Sequence, residues 1–365
     1  MSRSTLPAKI YVNGRFLTQA TTGVQRYALE SLNAIDALLK SGCNEQWIVL
    51  VPKGAESQLK WDNIELRTVG VLSGHAWEQF ELPRYASDGW LLTLCGAPSL
   101  LHSAHLFAIH DAAIYDMPSG YSFLYRTYYR MLYRLCVNRA KAIFTVSEFS
   151  RNRLASLFSK VSGQIVVTYN GADHSRVGTP FQSKELSDTN ALEGPYILAV
   201  SSLAPNKNFA VIPQLSEMLE DIDLRIVVVG GMNPKVFGKA EFSSSRICWL
   251  GYVSDEKLEQ LYRHAACFIF PSLYEGFGLP PLEAMSFGCP VIASNAASIP
   301  EVCGDAALYF SPLSVEELKS QLHRVLFEPN VADELGIKGD QQVKRYTWSK
   351  VAQTILNTVQ ALIQE

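Results

Sequence analysis

Short apolar runs alternate with amphipathic stretches along most of the chain. The runs at 10–12, 47–51, 91–94, 106–109, 142–146 and 165–168 are bounded by polar or turn-forming residues, and each predicts a buried strand. Between them, apolar residues recurring at three- and four-residue spacing predict helices over 24–39, 120–140 and 148–158. Strands separated by helices predict parallel βαβ units. A polar stretch over 174–194 breaks this rhythm and predicts a linker. The alternation then restarts, with strands at 196–200, 224–229, 247–250, 267–270 and 291–293. Helices are expected over 209–219, 255–264, 281–287, 316–326 and 331–342, followed by an amphipathic helix at 348–364. The pattern predicts two doubly wound α/β domains, 1–180 and 194–345, with a terminal helix over 346–365 crossing back to the first. Ligands of such sheets bind at the carboxyl ends of the strands, here in a cleft between the two halves.

Composition narrows the function. The chain has 365 residues, 48% of them hydrophobic and 18% charged, which suits two cored domains and excludes a disordered or collagen-like chain. A net charge of −3 argues against a nucleic-acid binder. The charge is unevenly divided: residues 1–180 hold 18 basic and 13 acidic side chains (+5), whereas residues 181–365 hold 14 and 22 (−8). The seven cysteines form no Cys-x-x-Cys unit, which predicts free thiols in a reducing compartment. With neither a signal-peptide pattern nor an apolar run of roughly 18 residues, the expected location is the cytoplasm, or the inner surface of the cell membrane.

Candidate chemistry concentrates in Phe270-Pro-Ser-Leu-Tyr-Glu275-Gly-Phe-Gly-Leu-Pro-Pro-Leu-Glu283. A strand ends at Pro271, a glycine-containing loop follows, and Pro280-Pro281 is expected to open a helix with Glu283 near its third position. Gly276 and Gly278 allow close approach of a ligand to the backbone, and the following helix start offers amides to an anion. Two carboxylates around such a loop suit vicinal diols, because each can accept two hydrogen bonds; a helix-capping Glu283 is the alternative.

The Glu275-x7-Glu283 frame, continued by Gly288-Cys-Pro-Val-Ile-Ala-Ser294 and Ser298-Ile-Pro-Glu-Val302, resembles the signature of the retaining, metal-independent glycosyltransferases of family 4 (group 1), in a mannosyltransferase-like branch. The resemblance implies a GT-B fold, two Rossmann-like domains facing a cleft, and no metal or cofactor. It implies that Glu275 holds sugar hydroxyls with the Gly276-Phe277-Gly278-Leu279 loop, and that Glu283 holds the ribose. Lys207, in Leu203-Ala-Pro-Asn-Lys207-Asn208, matches the lysine at the donor diphosphate, while Ser202 stands where relatives often carry arginine. In the first half, Gly23 matches a glycine loop opening the first helix, and His110 matches a histidine beside the transferred sugar. His75-Ala-Trp77-Glu78 resembles a segment expected to shape the acceptor pocket.

Residues 121–141 hold five basic side chains, five tyrosines and no acid, with Arg126, Arg130 and Arg134 at four-residue spacing. They predict a helix face for an anionic membrane or a lipid diphosphate acceptor. The resemblance implies transfer of a hexose from a nucleoside diphosphate sugar, GDP-mannose before UDP-hexose, with retention, to a hydroxyl of a growing, lipid-linked bacterial surface glycan. A GT-B epimerase or phosphorylase and a non-catalytic nucleotide-sugar-binding subunit are the alternatives.

Overall fold

The structure is a computed structural model that describes residues 7–39, 45–55, 59–173, 194–200, 204–219, 222–230 and 246–364. The expected linker over 174–194 lies outside the described residues except for Gly194. The chain forms two compact units: Met1–Gly171 with Thr347–Glu365, and Ala172–Tyr346.

The first unit carries strands β1 (Ala8–Asn13), β2 (Glu45–Val51), β3 (Ile64–Thr68), β4 (Trp90–Thr93), β5 (His105–Ala108), β6 (Ala142–Thr145) and β7 (Ile165–Val167). They form one parallel sheet in the order β3-β2-β1-β4-β5-β6-β7. β1, β2, β4, β5 and β6 are nearly continuous apolar runs because helices cover both faces of the sheet. The edge strand β3 has only Ile64 buried, so its polar sequence gave no apolar signal. The helix Phe123–Val137 buries Tyr129, Leu132 and Cys136 against Phe107 and Ile143 of the sheet; each fully buried Leu contributes roughly 1.5–3 kcal/mol. The terminal helix Trp348–Gln364 packs along the helix Gly23–Leu38 through a buried stripe of Val351, Ala352, Ile355 and Val359. Gly171 makes room for it, since a Cβ there would lie 2.4 Å from the Trp348 amide nitrogen.

The second unit contains β8 (Tyr196–Val200), β9 (Arg225–Val229), β10 (Ile247–Gly251), β11 (Cys267–Phe270), β12 (Val291–Ser294) and β13 (Ala307–Phe310). The order is β10-β9-β8-β11-β12-β13, again all parallel. The helices Val211–Glu217 and Val315–Phe327 share a core with Ile197, Ile226, Ile269 and Ile292. The edge strand β13, an apolar Ala-Leu-Tyr-Phe run half-buried at Leu308 and Tyr309, was not among the expected strands.

Both sheets reverse their strand order at the first strand of the unit. Successive strands run outward from β1 to β3, then from β4 outward on the other side; β8 and β11 repeat the arrangement. Connections on the two sides of such a reversal diverge to opposite faces, leaving a crevice at the carboxyl ends.

Candidate functional site

In the second unit the crevice lies between β8 and β11. The turn Pro205–Lys207 follows β8, and Asn208 closes it in the left-handed region at φ 54°. Asn206 and Asn208 tie this turn to the segment after β11. Leu273 N–H donates to the Asn206 carbonyl at 2.7 Å, Asn206 Nδ2 to the Tyr274 carbonyl at 3.1 Å, and Asn208 Nδ2 to the Pro271 carbonyl at 3.2 Å. The bracing brings Lys207 Nζ to 2.7 and 2.9 Å from the two oxygens of Glu275. Both side chains are largely shielded, at 23% and 12% exposure. Ser298 Oγ lies 2.9 Å from the carbonyls of Glu275 and Phe277, holding the loop from the other side.

Phe277 is buried, with its ring 5.4 Å from Tyr346 in an edge contact. Gly278 has φ 105°, which favours glycine, and precedes the helix Leu279–Ser286. The helix therefore starts two residues before Pro281. Glu283 is its fifth residue, not the third, and lies beyond the first turn. This removes the capping explanation, because a capping carboxylate sits at N3. Ser202 lies outside the described residues.

In the first unit the crevice lies between β1 and β4. A cavity of about 430 Å³ opens there, lined by residues that include Arg15, Gln25, His75, Gly96, His110 and Tyr129. His110 follows β5. Its Nε2 is 3.0 Å from the Leu94 carbonyl, and since a carbonyl only accepts, Nε2 carries the hydrogen. Tyr27 packs edge-on against the ring at 4.8 Å. Burial pushes the His110 pKa down to about 4, against a smaller upward pull from the Leu94 hydrogen bond. The neutral ring keeps a lone pair on Nδ1 for a hydroxyl donor. Cys95, also on the cavity, has its thiol pushed up to about 12, by burial first and by Glu78 second, and stays protonated near neutrality.

Glu78 and Trp77 are not pocket walls. Trp77 is fully buried in a cluster with Ile48, Leu50 and Leu91, and its Nε1 donates to the Val69 carbonyl at 3.0 Å. Glu78, fully buried too, anchors the cavity from beneath. It accepts from Asn13 Nδ2 and the Ala97 amide at 3.0 Å each and from His75 Nδ1 at 2.8 Å, and pairs with Arg15 Nε at 3.2 Å. Gly96 makes this possible: its φ is 117°, and a Cβ there would lie 2.4 Å from a Glu78 oxygen. Arg15 was missed in the sequence. Its signal was its position, two residues beyond the apolar run of β1.

Gly23 opens the helix Gly23–Leu38, where the Gln25 side chain accepts from the Thr22 amide at 3.2 Å. Among the described residues, beyond its sequence neighbours and its own helix, nothing lies within 4 Å of a Cβ built on Gly23, so packing within the protein does not demand glycine there. On the helix Phe123–Val137, Arg126 and Arg130 are half-buried. Arg126 donates to the Pro118 carbonyl at 3.0 Å, and Arg130 to the Ile114 carbonyl at 3.1 and 2.6 Å. Both brace the preceding turns, leaving Arg134 exposed. Outward from the same helix stand Phe123, Leu124, Met131 and Leu135, at 51–80% exposure. Among the described residues, no group of three His, Cys, Asp or Glu side chains could hold a metal ion, and no helix is long and apolar enough to cross a membrane.

The family profile described as "Glycosyl transferases group 1" matches residues 182–342, and that of "Glycosyltransferase Family 4" matches 84–176. The chain is 31% identical to the O-antigen chain mannosyltransferase B of Escherichia coli over 263 residues, 69% of each chain. It is 27% identical to the O-antigen chain mannosyltransferase RfbU of Salmonella typhimurium, across 95% of this chain and 98% of that protein. Among solved structures, sucrose-phosphate synthase from Thermosynechococcus elongatus superposes with a TM-score of 0.72 at 19% identity, covering 98% of this chain and 99% of that one.

The burial of His110 yields a titration test. Its pKa lies near 4 when folded and about 6.5 when unfolded. The unfolded chain binds the extra proton between these values, so this stabilising contribution is complete above about pH 6.5 and is lost as pH falls toward 4. Nitrogen-15 NMR of labelled histidine should show His110 neutral at about pH 5.5, with its proton on Nε2. A midpoint near 6.5 would contradict the buried, carbonyl-bound ring.

Proposed function

Since the chain belongs to the glycosyltransferases of group 1 and family 4, with the two parallel-sheet units of a GT-B fold, we propose that it transfers mannose from GDP-mannose to a hydroxyl of a growing bacterial surface glycan, with retention at the anomeric carbon. The observation that carries this reading is the Lys207–Glu275 pair at the strand-order reversal of the second unit. A cation and a sugar-binding carboxylate stand there on one braced loop. The names of the two mannosyltransferase relatives support mannose over other hexoses and a surface polysaccharide as the setting.

In the proposed reaction Lys207 holds the diphosphate, Glu275 and the Gly276–Leu279 backbone hold the sugar, and Glu283 holds the ribose hydroxyls. The bond between the anomeric carbon and the phosphate oxygen breaks while the acceptor oxygen attacks on the same face. The departing phosphate oxygen takes the acceptor proton. Negative charge grows on the leaving group, so a fixed ammonium stabilises the transition state more than the bound donor. In the first unit, His110 offers Nδ1 as a hydrogen-bond acceptor to a substrate hydroxyl.

The chain works in this reading at the inner membrane surface. Phe123, Leu124, Met131 and Leu135 form an exposed apolar stripe, and Arg134, Arg139 and Lys141 supply positive charge beside it. Apolar insertion flanked by cations suits an anionic bilayer. The arginines of the inner face stay with the protein.

Glu283→Gln should weaken GDP binding roughly tenfold or more, the loss expected for a charge-assisted hydrogen bond of about 1.5–3 kcal/mol. Calorimetry with GDP checks it, and an unchanged affinity removes the ribose role. Replacing Leu124 and Met131 together by Gln should cut binding to phosphatidylglycerol vesicles severalfold. Equal binding by parent and variant would leave the stripe without a membrane role.

A further inference from the structure

Three elements of the first unit hold His110. Its ring Nε2 donates to the carbonyl of Leu94, just beyond β4, at 3.0 Å. Its main-chain carbonyl accepts from Oγ1 of Thr145, the last residue of β6, at 3.0 Å. Its ring meets Tyr27, on the helix Gly23–Leu38, with centroids 4.8 Å apart and planes at 90°. Tyr27 is 1% exposed and is not one of the residues lining the cavity. Any influence it has on a substrate there passes through His110.

Tyr27 is itself anchored twice. Its hydroxyl lies 2.8 Å from Thr168 Oγ1. Thr168 Oγ1 donates its one hydrogen to the Thr145 carbonyl at 3.1 Å, so Tyr27 is the donor to Thr168. Burial holds the Tyr27 phenol well above its ordinary pKa, which keeps that hydrogen in place. Thr145 closes the circuit, accepting from Thr168 at its carbonyl and donating to His110 through its hydroxyl. The second anchor is Trp348, the first residue of the terminal helix, whose ring meets Tyr27 in another edge contact at 6.2 Å. Trp348 is buried. The chain next to Thr168 is shaped to receive it. Tyr169 stands in the left-handed region at φ 55°, which a bulky residue rarely adopts. Gly171 leaves the space where a Cβ would lie 2.5 Å from Cγ of Trp348.

Filling space alone would need the bulk of Tyr27 and Trp348, not their direction, and a phenylalanine would fill the first position without burying a hydroxyl. The observed circuit fixes an orientation instead. An imidazole held by one hydrogen bond can turn about its side-chain bonds and exchange one ring nitrogen for the other. A rigid ring edge against it removes that freedom, and a side chain locked in this way keeps its productive geometry without cost at each turnover. Resting on the glycosyltransferase reading above, we infer that Tyr27 and Trp348 are positioning residues for His110: the returning terminal helix sets Trp348 against Tyr27, and Tyr27, anchored on Thr168, keeps the imidazole on the Leu94 carbonyl with Nδ1 in one direction. The terminal helix then serves turnover as well as the core of the first unit, although none of its residues lines the cavity.

Nitrogen-15 spectra of the histidine-labelled full chain, combined with the slow release of GDP from GDP-mannose by water, test the assignment. In Trp348→Leu the ring should gain freedom, so that the His110 Nδ1 and Nε2 signals, well separated for a single tautomer, move toward each other. Its kcat per folded molecule should fall on the order of tenfold, with KM for GDP-mannose within about twofold of the parent. Trp348→Phe keeps an aromatic edge and should restore the signals and most of the rate. Tyr27→Phe loses only the anchor on Thr168; it should shift the signals in the same direction and lower kcat about threefold, the worth of one buried hydrogen bond. A purely structural role would lower the melting temperature and leave both readouts as in the parent. Parent-like His110 signals in Tyr27→Phe, or signals that move with no loss of kcat, would overturn the assignment, even where Trp348→Leu fails to fold. The spectra need no donor, which separates the two readings. A parent chain that releases no GDP sinks the transferase reading, whereas active variants with unmoved signals sink the positioning role alone.

Discussion

Reversal of strand order beside β1 and beside β8 is the constraint on which the chemistry depends. In a parallel sheet every strand's carboxyl end lies on one edge, but most neighbouring loops crowd one another. At a reversal the loops part to opposite faces and leave room for side chains to meet. Lys207 and Glu275 come from strands adjacent at one reversal, and Arg15 and Gly96 follow the strands adjacent at the other. Residues 68 apart in the chain are thereby held 2.7 Å apart.

Both reversals use the same electrostatic device with different permanence. A shielded cation is costly unless a carboxylate accompanies it, and each crevice provides one. Glu78 is inaccessible and committed to four partners, so Arg15 is fixed in direction. Glu275 keeps some exposure, and its partner Lys207 sits on a short turn. In the proposed reaction a diphosphate takes over the Lys207 charge, and Glu275 is freed for sugar hydroxyls. The asparagines at 206 and 208 hold the turn through main-chain carbonyls, so that exchange needs no rearrangement of the loop.

Central strands and long amphipathic helices were legible in the sequence because burial on both faces leaves an unbroken apolar run, as in β11 and β12. The edge strand β3 was not, because three of its five residues are exposed and polar or charged alternation leaves no apolar run; β13, a short Ala-Leu-Tyr-Phe run, lies outside the expected strands although it is apolar. The Phe270–Glu283 loop could be read because its glycines, prolines and carboxylates are close in sequence. The cavity of the first unit could not, since Arg15, Glu78, Gly96 and His110 meet only through the fold. The Tyr-Arg helix was legible as a helix, but the partners of its arginines were not. Periodicity placed Arg126 and Arg130 on one face, and only the fold brings the carbonyls of Pro118 and Ile114 to them.

Single-turnover transfer by Lys207→Ala at saturating donor tests the account most directly. The loop is braced without the Lys207 ammonium, so the variant should fold and still bind donor. Its transfer rate should fall on the order of 10²–10³-fold, the cost of one preorganised donor to a growing charge. Ser202→Arg in the same variant should recover part of the rate. Transfer within threefold of the parent would place the anion site away from the β8–β11 reversal and contradict the account.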